Sequence, residues 1–221
     1  MIPEVIIHNS VSLDGSLTGF EPDLELHYSI ARDYRPDMHL IGSNTVRAGI
    51  AMFGGEVPPE GETDFQRPDR DQTLPAWVIM DTRGSLQGLL HHCRRFEYCR
   101  DVVVLVSEKT PAAYLEHLKE RKYDYLVAGN DHADLRRALE LLSDTFHAKR
   151  VLTDTGRILG NLLLGQGLVS EISLLVHPVV VGENGRYGMF ENVEKDIHLE
   201  LIRHEVLKDR FVRLAYKPAK G

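Results

Sequence analysis

A short turn near residue 155 combines the residue types that bind phosphate groups. An apolar run at residues 151–153 ends at Asp154, Thr155 and Gly156, and a leucine-rich segment follows at once. A parallel strand that leads directly into a helix presents free backbone N–H groups and a partial positive charge. Gly156 would let a ligand approach the backbone, and the side chain of Thr155 or Asp154 could cap the turn. The pattern therefore predicts either an anion site or an ordinary strand–helix turn with a threonine cap.

Two further turns end apolar runs in a similar way. Thr45 lies in a turn rich in hydroxyl and amide groups, and Asp81, Thr82, Arg83 and Gly84 directly follow another apolar run. If the strands are parallel, such turns lie at one edge of the sheet, where α/β proteins bind ligands. Several anion sites at one edge predict an extended ligand with several phosphates. Arg83 could bind a phosphate with its guanidinium fork, which favours NADPH over NADH, although a solvated turn residue is the alternative.

The elements that must position these turns follow from the apolar pattern. Short continuous apolar runs are typical of strands that are buried on both faces of a parallel sheet. These runs occupy residues 4–10, 39–42, 77–80, 102–106, 125–127 and 150–153. Helical spacing predicts helices at residues 22–34, after a Thr110-Pro111 cap, and at 134–146.

The C-terminal part of the chain changes character. Residues 170–182 form an apolar run that contains a proline, and residues 197–207 and 211–217 flank a polar turn at residues 208–210. The last two segments predict an antiparallel hairpin. The fold class is therefore predicted to be α/β, with a mixed, mainly parallel sheet, helices on both faces and a C-terminal antiparallel hairpin.

Composition and charge exclude several classes of protein. The 221 residues contain 26 basic and 33 acidic side chains, a formal net charge of −7, which disfavours a nucleic-acid surface. No segment predicts a secretory signal or a membrane span. Cys93 and Cys99 are too few for a disulfide framework or a cysteine zinc cluster, and the adjacent His91 and His92 predict a solvated loop rather than a metal site. We expect one cytoplasmic domain spanning residues 1–221.

The order of several motifs resembles the reductase domain of riboflavin biosynthesis, which has the dihydrofolate-reductase fold. The matching stretches are NSVSLDG at residues 9–15, IGSNTV at 41–46, VIMDT at 78–82 and GLVSEI at 167–172, followed by Pro178 and Gly182. The resemblance extends from about Val5 to Tyr216. It implies a dihydrofolate-reductase-like fold, an NADPH cofactor and a homodimer. It also implies a diaminopyrimidine ribosylamino phosphate as the substrate, with hydride transfer to C1′ of its ribose.

The resemblance also implies roles for individual residues. By position, the residues implied to bind the cofactor are Thr45, Asp81, Thr82, Arg83, Gly84, Thr155, Gly156, Arg157 and Ile158. Thr45 would touch the phosphates of NADPH. The adenosine end would be held by Asp81, Thr82, Arg83 and Gly84, and the pyrophosphate would be cradled by Thr155, Gly156, Arg157 and Ile158.

The chain departs from the family pattern at three places. Asp154 stands where the family has a glutamate that faces the substrate, and Thr155 replaces the first glycine of a Gly-Gly pair. The family's arginine for the substrate phosphate is missing from residues 47–55. Arg32 or Arg35 matches a different arginine, which the family places before its second strand.

Hydride transfer leaves the protein to align the reactants and to handle a proton. Asp14, after the first predicted strand, is the candidate catalytic and substrate-binding carboxylate together with Asp154, although Asp-Gly is also a strong turn pair. Asn9 and Ser12 could form hydrogen bonds with a pyrimidine or a ribose. His27 on the first predicted helix could serve as an acid.

Three functions remain open on the sequence. The first is the riboflavin-pathway reductase, and the second is a reductase of the same fold that acts on another C=N or carbonyl compound, such as dihydrofolate. The third is a catalytically silent nucleotide-binding protein. A phosphate-binding arginine in the cleft would distinguish the first function from the second.

Overall fold

The apolar runs of the sequence form the strands of the structure, a computed structural model that describes residues 1–52, 55–185 and 188–219. The chain divides into two units: Met1–Pro3 with Pro36–Val151, and Glu4–Arg35 with Leu152–Gly221. Each unit has hydrophobic packing of its own.

Four parallel strands form the sheet of the first unit. They are β2 (Met38–Gly42), β3 (Ala76–Met80), β4 (Val102–Val106) and β5 (Asp124–Val127), in the order β5-β4-β3-β2. All five residues of β4 are buried, as the continuous valine-rich run predicts for a strand covered on both faces. The parallel register places Gly42 at the end of β2 beside Met80 at the end of β3. The turns that follow these two strands therefore begin at the same edge.

Four helices belong to the first unit. They are α2 (Ser43–Met52), α3 (Leu90–Arg95), α4 (Ala112–Glu120) and α5 (Leu135–Phe146). The side chain of Asp134 caps α5 by accepting a hydrogen bond from the backbone N–H of Arg137 at 3.0 Å. Tyr114 and Leu118, one turn apart on α4, are fully buried in the core.

Two local predictions for the first unit were wrong. His91 and Cys93 lie on the helix α3 and are buried rather than solvated, because Leu90 and Cys93 face the core with helical spacing. Thr110 does not cap α4. Its hydroxyl instead donates to the backbone oxygen of Thr82 at 2.8 Å, and α4 begins after Pro111.

The second unit carries the antiparallel part of the fold. β1 (Glu4–Ser12) pairs in parallel with β7 (Glu171–His177), which pairs antiparallel with β9 (Phe211–Pro218), and β9 pairs antiparallel with β8 (Leu199–Leu207). Lys208 and Asp209 both have positive φ angles, as a tight hairpin turn requires, so the predicted hairpin is confirmed. The strand β6 (Arg150–Thr153) begins in the first unit and ends in the second.

Two helices complete the second unit, α1 (Leu24–Asp33) and α6 (Arg157–Gly165). Asp23 caps α1 by accepting from the N–H of Leu26 at 3.0 Å. Ile30 of α1 packs on Leu175 and Phe211. In the part of the chain that the structure describes, no helix is long and apolar enough to cross a membrane.

Candidate functional site

The turn between β6 and α6 has the backbone geometry of an anion site. Gly156 is the residue before the first turn of α6, and a glycine has no side chain with which to cap the helix. The N–H of the buried Thr155 donates to the hydroxyl of Thr153 at 3.3 Å, and Asp154 faces His27. A side-chain cap by Thr155 or Asp154 stays a prediction. The N-terminus of a helix carries backbone donors and a partial positive charge that suit an anion.

The space in front of this turn is open. A Cβ atom placed on Gly156 would meet no atom within 4 Å, so the surface there can accept a ligand against the backbone. Thr155, which replaces the family glycine, is not among the residues with positive φ, so threonine fits without strain. Ile158 in the first turn of α6 is 59% exposed.

A shallow cavity lies beside the first turns of α6. Its walls are formed by Ile7, Asn9, Thr155, Gly156, Arg157, Gly160, Asn161, Met189 and Phe190. The guanidinium of Arg157 forms an ion pair with Glu191 at 3.0 Å. The amide nitrogen of Asn161 is buried and has no hydrogen-bond partner among the residues described. Because an unpaired buried amide is costly, Asn161 has the character of a group that binds a ligand acceptor.

Asp154 lies beside α1 and close to two histidines. Its Oδ2 atom is 3.6 Å from Nε2 of His27, and Nδ1 of His27 lies 3.1 Å from the hydroxyl of Ser10. The ring of His8 stacks on that of His27 with 4.5 Å between centroids. Tyr28 meets the His27 ring edge-on at 5.0 Å. The structure thus places a carboxylate, an imidazole and a hydroxyl in a row.

Burial and charge shift the pKa values of the groups around Asp154. Burial, aided by the nearby His27, lowers the pKa of His8 from 6.5 to about 3. Burial, together with the charge of Asp154, raises the pKa of Tyr28 to about 12. Both groups are therefore uncharged near neutral pH.

Asp14 binds its own chain. Its carboxylate accepts hydrogen bonds from the hydroxyl of Ser12 at 2.6 Å, the N–H of Gly182 at 2.9 Å and the N–H of Val181 at 3.2 Å. The hydroxyl of Ser12 also accepts from the N–H of Ser16. These hydrogen bonds, of which the one from Ser12 has the largest effect, lower the pKa of Asp14 to about 2. Asp14 and Ser12 therefore hold two loops together in this structure.

Arg32 lies in the last turn of α1, whereas His27, which faces Asp154, lies in the first turn. The first turn of the helix brings His27 to Asp154. Its last turn contains Arg32 and leads to Tyr34, whose hydroxyl donates to Glu171 at the start of β7. The role of Arg32 in binding the substrate stays a prediction.

The predicted residues of the first unit gather after β2 and β3. Thr45 lies in the first turn of α2, and Asp81 begins the turn after β3. The two segments are in contact, because the guanidinium of Arg47 donates to the backbone oxygen of Ser85. Arg83 is exposed and makes no hydrogen bond or ion pair with any residue that the structure describes.

The turn after β3 is held by Asp81 and Gly84. Asp81 is buried and accepts hydrogen bonds from both the N–H and the hydroxyl of Ser85 at 2.9 Å, and from the N–H of Leu86 at 2.8 Å. Gly84 has φ +68, and a Cβ atom there would lie 2.8 Å from the ring of Tyr114. These contacts fix the backbone that presents Arg83.

Sequence reasoning did not select Ser10, His8 or Asn161 for this site. The alternation of side chains along β1 places His8 and Ser10 on one face of the strand and Asn9 on the other. Asn161 lies one turn after Arg157 on α6, so helical spacing is the signal that could have found it.

Comparison with known families decides the relationship of the chain. The family model of the RibD C-terminal domain matches residues 3–212. The protein belongs to the RibD C-terminal domain family. The match covers residues of both units.

One relative of the chain agrees with this family assignment. The chain is 26% identical over 217 residues to the 2,5-diamino-6-ribosylamino-4(3H)-pyrimidinone 5′-phosphate reductase of Methanothermobacter thermautotrophicus, covering 93% of this chain and 92% of the relative. This relative supports an oxidoreductase activity for the protein.

Solved structures share the fold. The riboflavin biosynthesis reductase Rib7 of Saccharomyces cerevisiae has a TM-score of 0.71 and 19% identity, with 99% of this chain and 90% of that chain covered. A pyrimidine reductase-like protein of Corynebacterium diphtheriae has a TM-score of 0.70 and 17% identity, with 99% and 93% covered. These likenesses confirm the predicted α/β fold class, and the family match confirms the resemblance to the reductase domain of riboflavin biosynthesis.

Proposed function

We propose that the protein is an NADPH-dependent reductase of 2,5-diamino-6-ribosylamino-4(3H)-pyrimidinone 5′-phosphate, with hydride transfer to C1′ of the ribose. The observation that carries this proposal is the family match over residues 3–212, joined to a relative with that activity that aligns over nearly all of both chains. Asp154 supplies the carboxylate at the position where the family has a substrate-facing glutamate.

The residues of the second unit fit the phosphates of such a cofactor. The first turn of α6 and the open surface at Gly156 suit a pyrophosphate. Thr155, Arg157 and Ile158 complete the proposed cradle, and an anionic ligand would compete with Glu191 for Arg157. When bound, the cofactor supplies the hydride, and the protein supplies position and charge.

In the first unit, we propose that Arg83 binds the phosphate that distinguishes NADPH from NADH. Arg83 is an exposed guanidinium on a rigid turn, and Asp81, Thr82 and Gly84 shape that turn. Thr45, in the first turn of α2, is proposed to contact another phosphate of the cofactor.

The proposed substrate residues differ in what their side chains already contact. Asn9 lines the cavity beside α6 and makes no side-chain hydrogen bond within the part of the chain that the structure describes, so it can bind substrate directly. A substrate that bound Asp14 or Ser12 would have to replace an internal hydrogen bond. Arg32, in the last turn of α1, is proposed to bind the substrate as well.

The segment after Thr45 lacks the family's arginine for the substrate phosphate, and this absence favours a second candidate function. A reductase of the same fold whose C=N or carbonyl substrate carries no phosphate, such as dihydrofolate, needs no such arginine. The catalytically silent alternative predicts NADPH binding without oxidation.

We also propose that the chain works as one cytoplasmic domain and forms a homodimer through β8. The outer strand β8 exposes Leu199, Leu201, Ile202 and Val206, by 40%, 53%, 48% and 68% respectively. An outer strand with apolar side chains and free backbone groups is suited to pairing with a second copy.

The experiment that tests the function is NADPH oxidation by the purified protein. We expect turnover with the pyrimidine phosphate, little with dihydrofolate, and a preference for NADPH over NADH that shrinks about ten-fold or more in Arg83→Ala. Arg136→Ala is the matched control, because Arg136 is also exposed and has no partner among the residues described. Turnover of dihydrofolate alone would favour the second candidate, and NADPH binding without oxidation would favour the silent protein.

A further inference from the structure

A row of three polar side chains connects the predicted substrate carboxylate to the protein surface. Asp154 Oδ2 faces Nε2 of His27 at 3.6 Å, and Nδ1 of the same ring faces the hydroxyl of Ser10 at 3.1 Å. The two nitrogens of His27 therefore have different partners, one acidic and one neutral. Such a ring can receive a proton at Nδ1 and release another at Nε2.

The orientation of the His27 ring is fixed from several sides. The ring of His8 stacks on it, and Nε2 of His8 lies 3.2 Å from the backbone oxygen of His27. Nδ1 of His8 pairs with the hydroxyl of Ser173 at 3.0 Å. Because both nitrogens of His8 are engaged and burial keeps its ring neutral, this second ring holds His27 in place without adding charge.

The other titratable groups near His27 leave Asp154 as its acidic partner. His8 and His177 both have pKa values lowered first by burial, and Tyr28 has a pKa raised first by burial. All three are neutral near neutral pH. Arg213 is the remaining charged group that acts on His8, and it forms ion pairs with Asp33 and Glu205 at 3.7 and 4.0 Å.

We propose that Asp154 gives the substrate the proton that the reduction consumes, and that His27 is the positioning residue that reloads Asp154 through Ser10. The side chain of Asp154 is 14% exposed and that of His27 only 9%, so the carboxyl group is the one that reaches a substrate. Ser10 is half-buried and provides the contact of His27 with the outside. This inference rests on the proposed reductase function.

The proposed step balances in electrons and protons. Opening of the ribose ring breaks the C1′–O4′ bond and moves the proton of the attached N–H to O4′, which gives an open-chain form with a C=N bond at C1′. The π bond of this imine breaks as C1′ receives two electrons and one hydrogen as the hydride that NADPH supplies, which forms a C–H bond. The nitrogen receives a proton from the Asp154 carboxyl group, which forms an N–H bond and leaves a carboxylate. The Nε2 proton of the His27 imidazolium then passes to Asp154, and a solvent proton reaches Nδ1 through the Ser10 hydroxyl. NADP⁺ and the reduced amine are the products.

The pH profile of turnover tests this assignment. A carboxyl group without a basic partner titrates near pH 3.9, at roughly three pH units below neutrality, so Asp154 alone would rarely carry a proton at neutral pH. In His27→Gln, whose amide keeps hydrogen-bonding capacity, we expect kcat to fall about ten-fold or more above neutral pH and the alkaline limb to move to lower pH by about one unit or more. The KM for NADPH should change by less than about two-fold.

Two further variants distinguish a proton relay through His27 and Ser10 from a purely structural role of these residues. Ser10→Ala should give a smaller loss of kcat in the same pH range, and His132→Gln, at an exposed histidine in the loop after β5, should leave the profile unchanged. Equal circular dichroism and equal Tm values would show that the variants are folded.

The outcomes distinguish this inference from the proposed function. Turnover by the unmodified protein with an unchanged pH profile in folded His27→Gln overturns the inference alone. Absence of NADPH oxidation by the unmodified protein with any C=N or carbonyl substrate overturns the proposed function and the inference together.

Discussion

His8 shows how a single buried side chain couples the fold to pH. Its ring is fully buried, and both of its nitrogens have hydrogen-bond partners, at Ser173 and at the backbone of His27. Burial first, and the nearby His27 second, lower its pKa to about 3. The folded protein therefore holds His8 neutral, whereas the unfolded chain protonates it at its ordinary pKa.

We predict that acid destabilises the protein through His8. Between pH 6.5 and about 3, the unfolded chain binds a proton that the folded protein does not, so the free energy of unfolding should fall as pH falls, by up to about 1.4 kcal/mol per pH unit. This contribution is fully present above pH 6.5. Urea unfolding from about pH 7 down to about pH 4.5 measures it, because the lowered carboxyl pKa values, such as that of Asp14, act only below that range.

The control for this prediction is an exposed histidine. His8→Gln should reduce the pH slope, while His132→Gln should retain it. An identical slope in the unmodified protein and His8→Gln would show that another group, such as His177, whose pKa burial also lowers, causes the acid sensitivity.

At the scale of elements, the turn after β3 requires a glycine at position 84, because the ring of Tyr114 on α4 packs directly against it. Gly84 and Gly88 both have positive φ angles, +68 and +77, but only at Gly84 would a Cβ atom collide, at 2.8 Å from the Tyr114 ring. Both Gly→Ala substitutions should cost about 1 kcal/mol for the backbone. Gly84→Ala should cost about 1–3 kcal/mol more, because Tyr114 is fully buried on α4 and cannot move freely.

Thermal or urea unfolding of the two variants measures this difference. Since Gly88→Ala carries the same backbone penalty, the difference between the variants isolates the contact with α4. Equal stabilities would mean that Tyr114 adjusts at no cost, and that the turn presenting Arg83 is not fixed by α4.

The strands were predictable from sequence, but the row Asp154–His27–Ser10 was not. Continuous apolar runs such as β4 predict a buried parallel strand, and the six runs predicted as parallel strands agree with β1 to β6 to within two residues at each end. The run at residues 170–182 is longer than the observed β7, which ends at His177. Caps were less predictable, because the hydroxyl of Thr110 bonds to the backbone oxygen of Thr82 instead of capping α4. Contacts between α1 and β6 depend on how a helix packs, and a single sequence contains no pattern that pairs His27 with Asp154.

At the scale of the whole molecule, the sequence resemblance and the exposed surface lead to the same expectation. The family resemblance implied a homodimer, and β8 provides an outer strand whose residues are almost all exposed despite an apolar composition. In a monomer, such a strand would leave apolar side chains and unpaired backbone groups in water. A β-bulge between Leu201 and Arg203 is the only interruption of its pairing with β9 within the described strands.

We predict that the protein is a dimer in solution and that acidic residues on β8 disrupt it. Light scattering should give twice the 25.0 kDa mass of one chain, and the double substitution of Leu201→Glu and Val206→Glu should give the mass of a monomer, because burying two carboxylates costs several kcal/mol. Val127→Glu is the matched control, since Val127 is 45% exposed at the end of β5. A monomeric unmodified protein, or a double variant that remains dimeric, would show that β8 is not the surface joining the two copies.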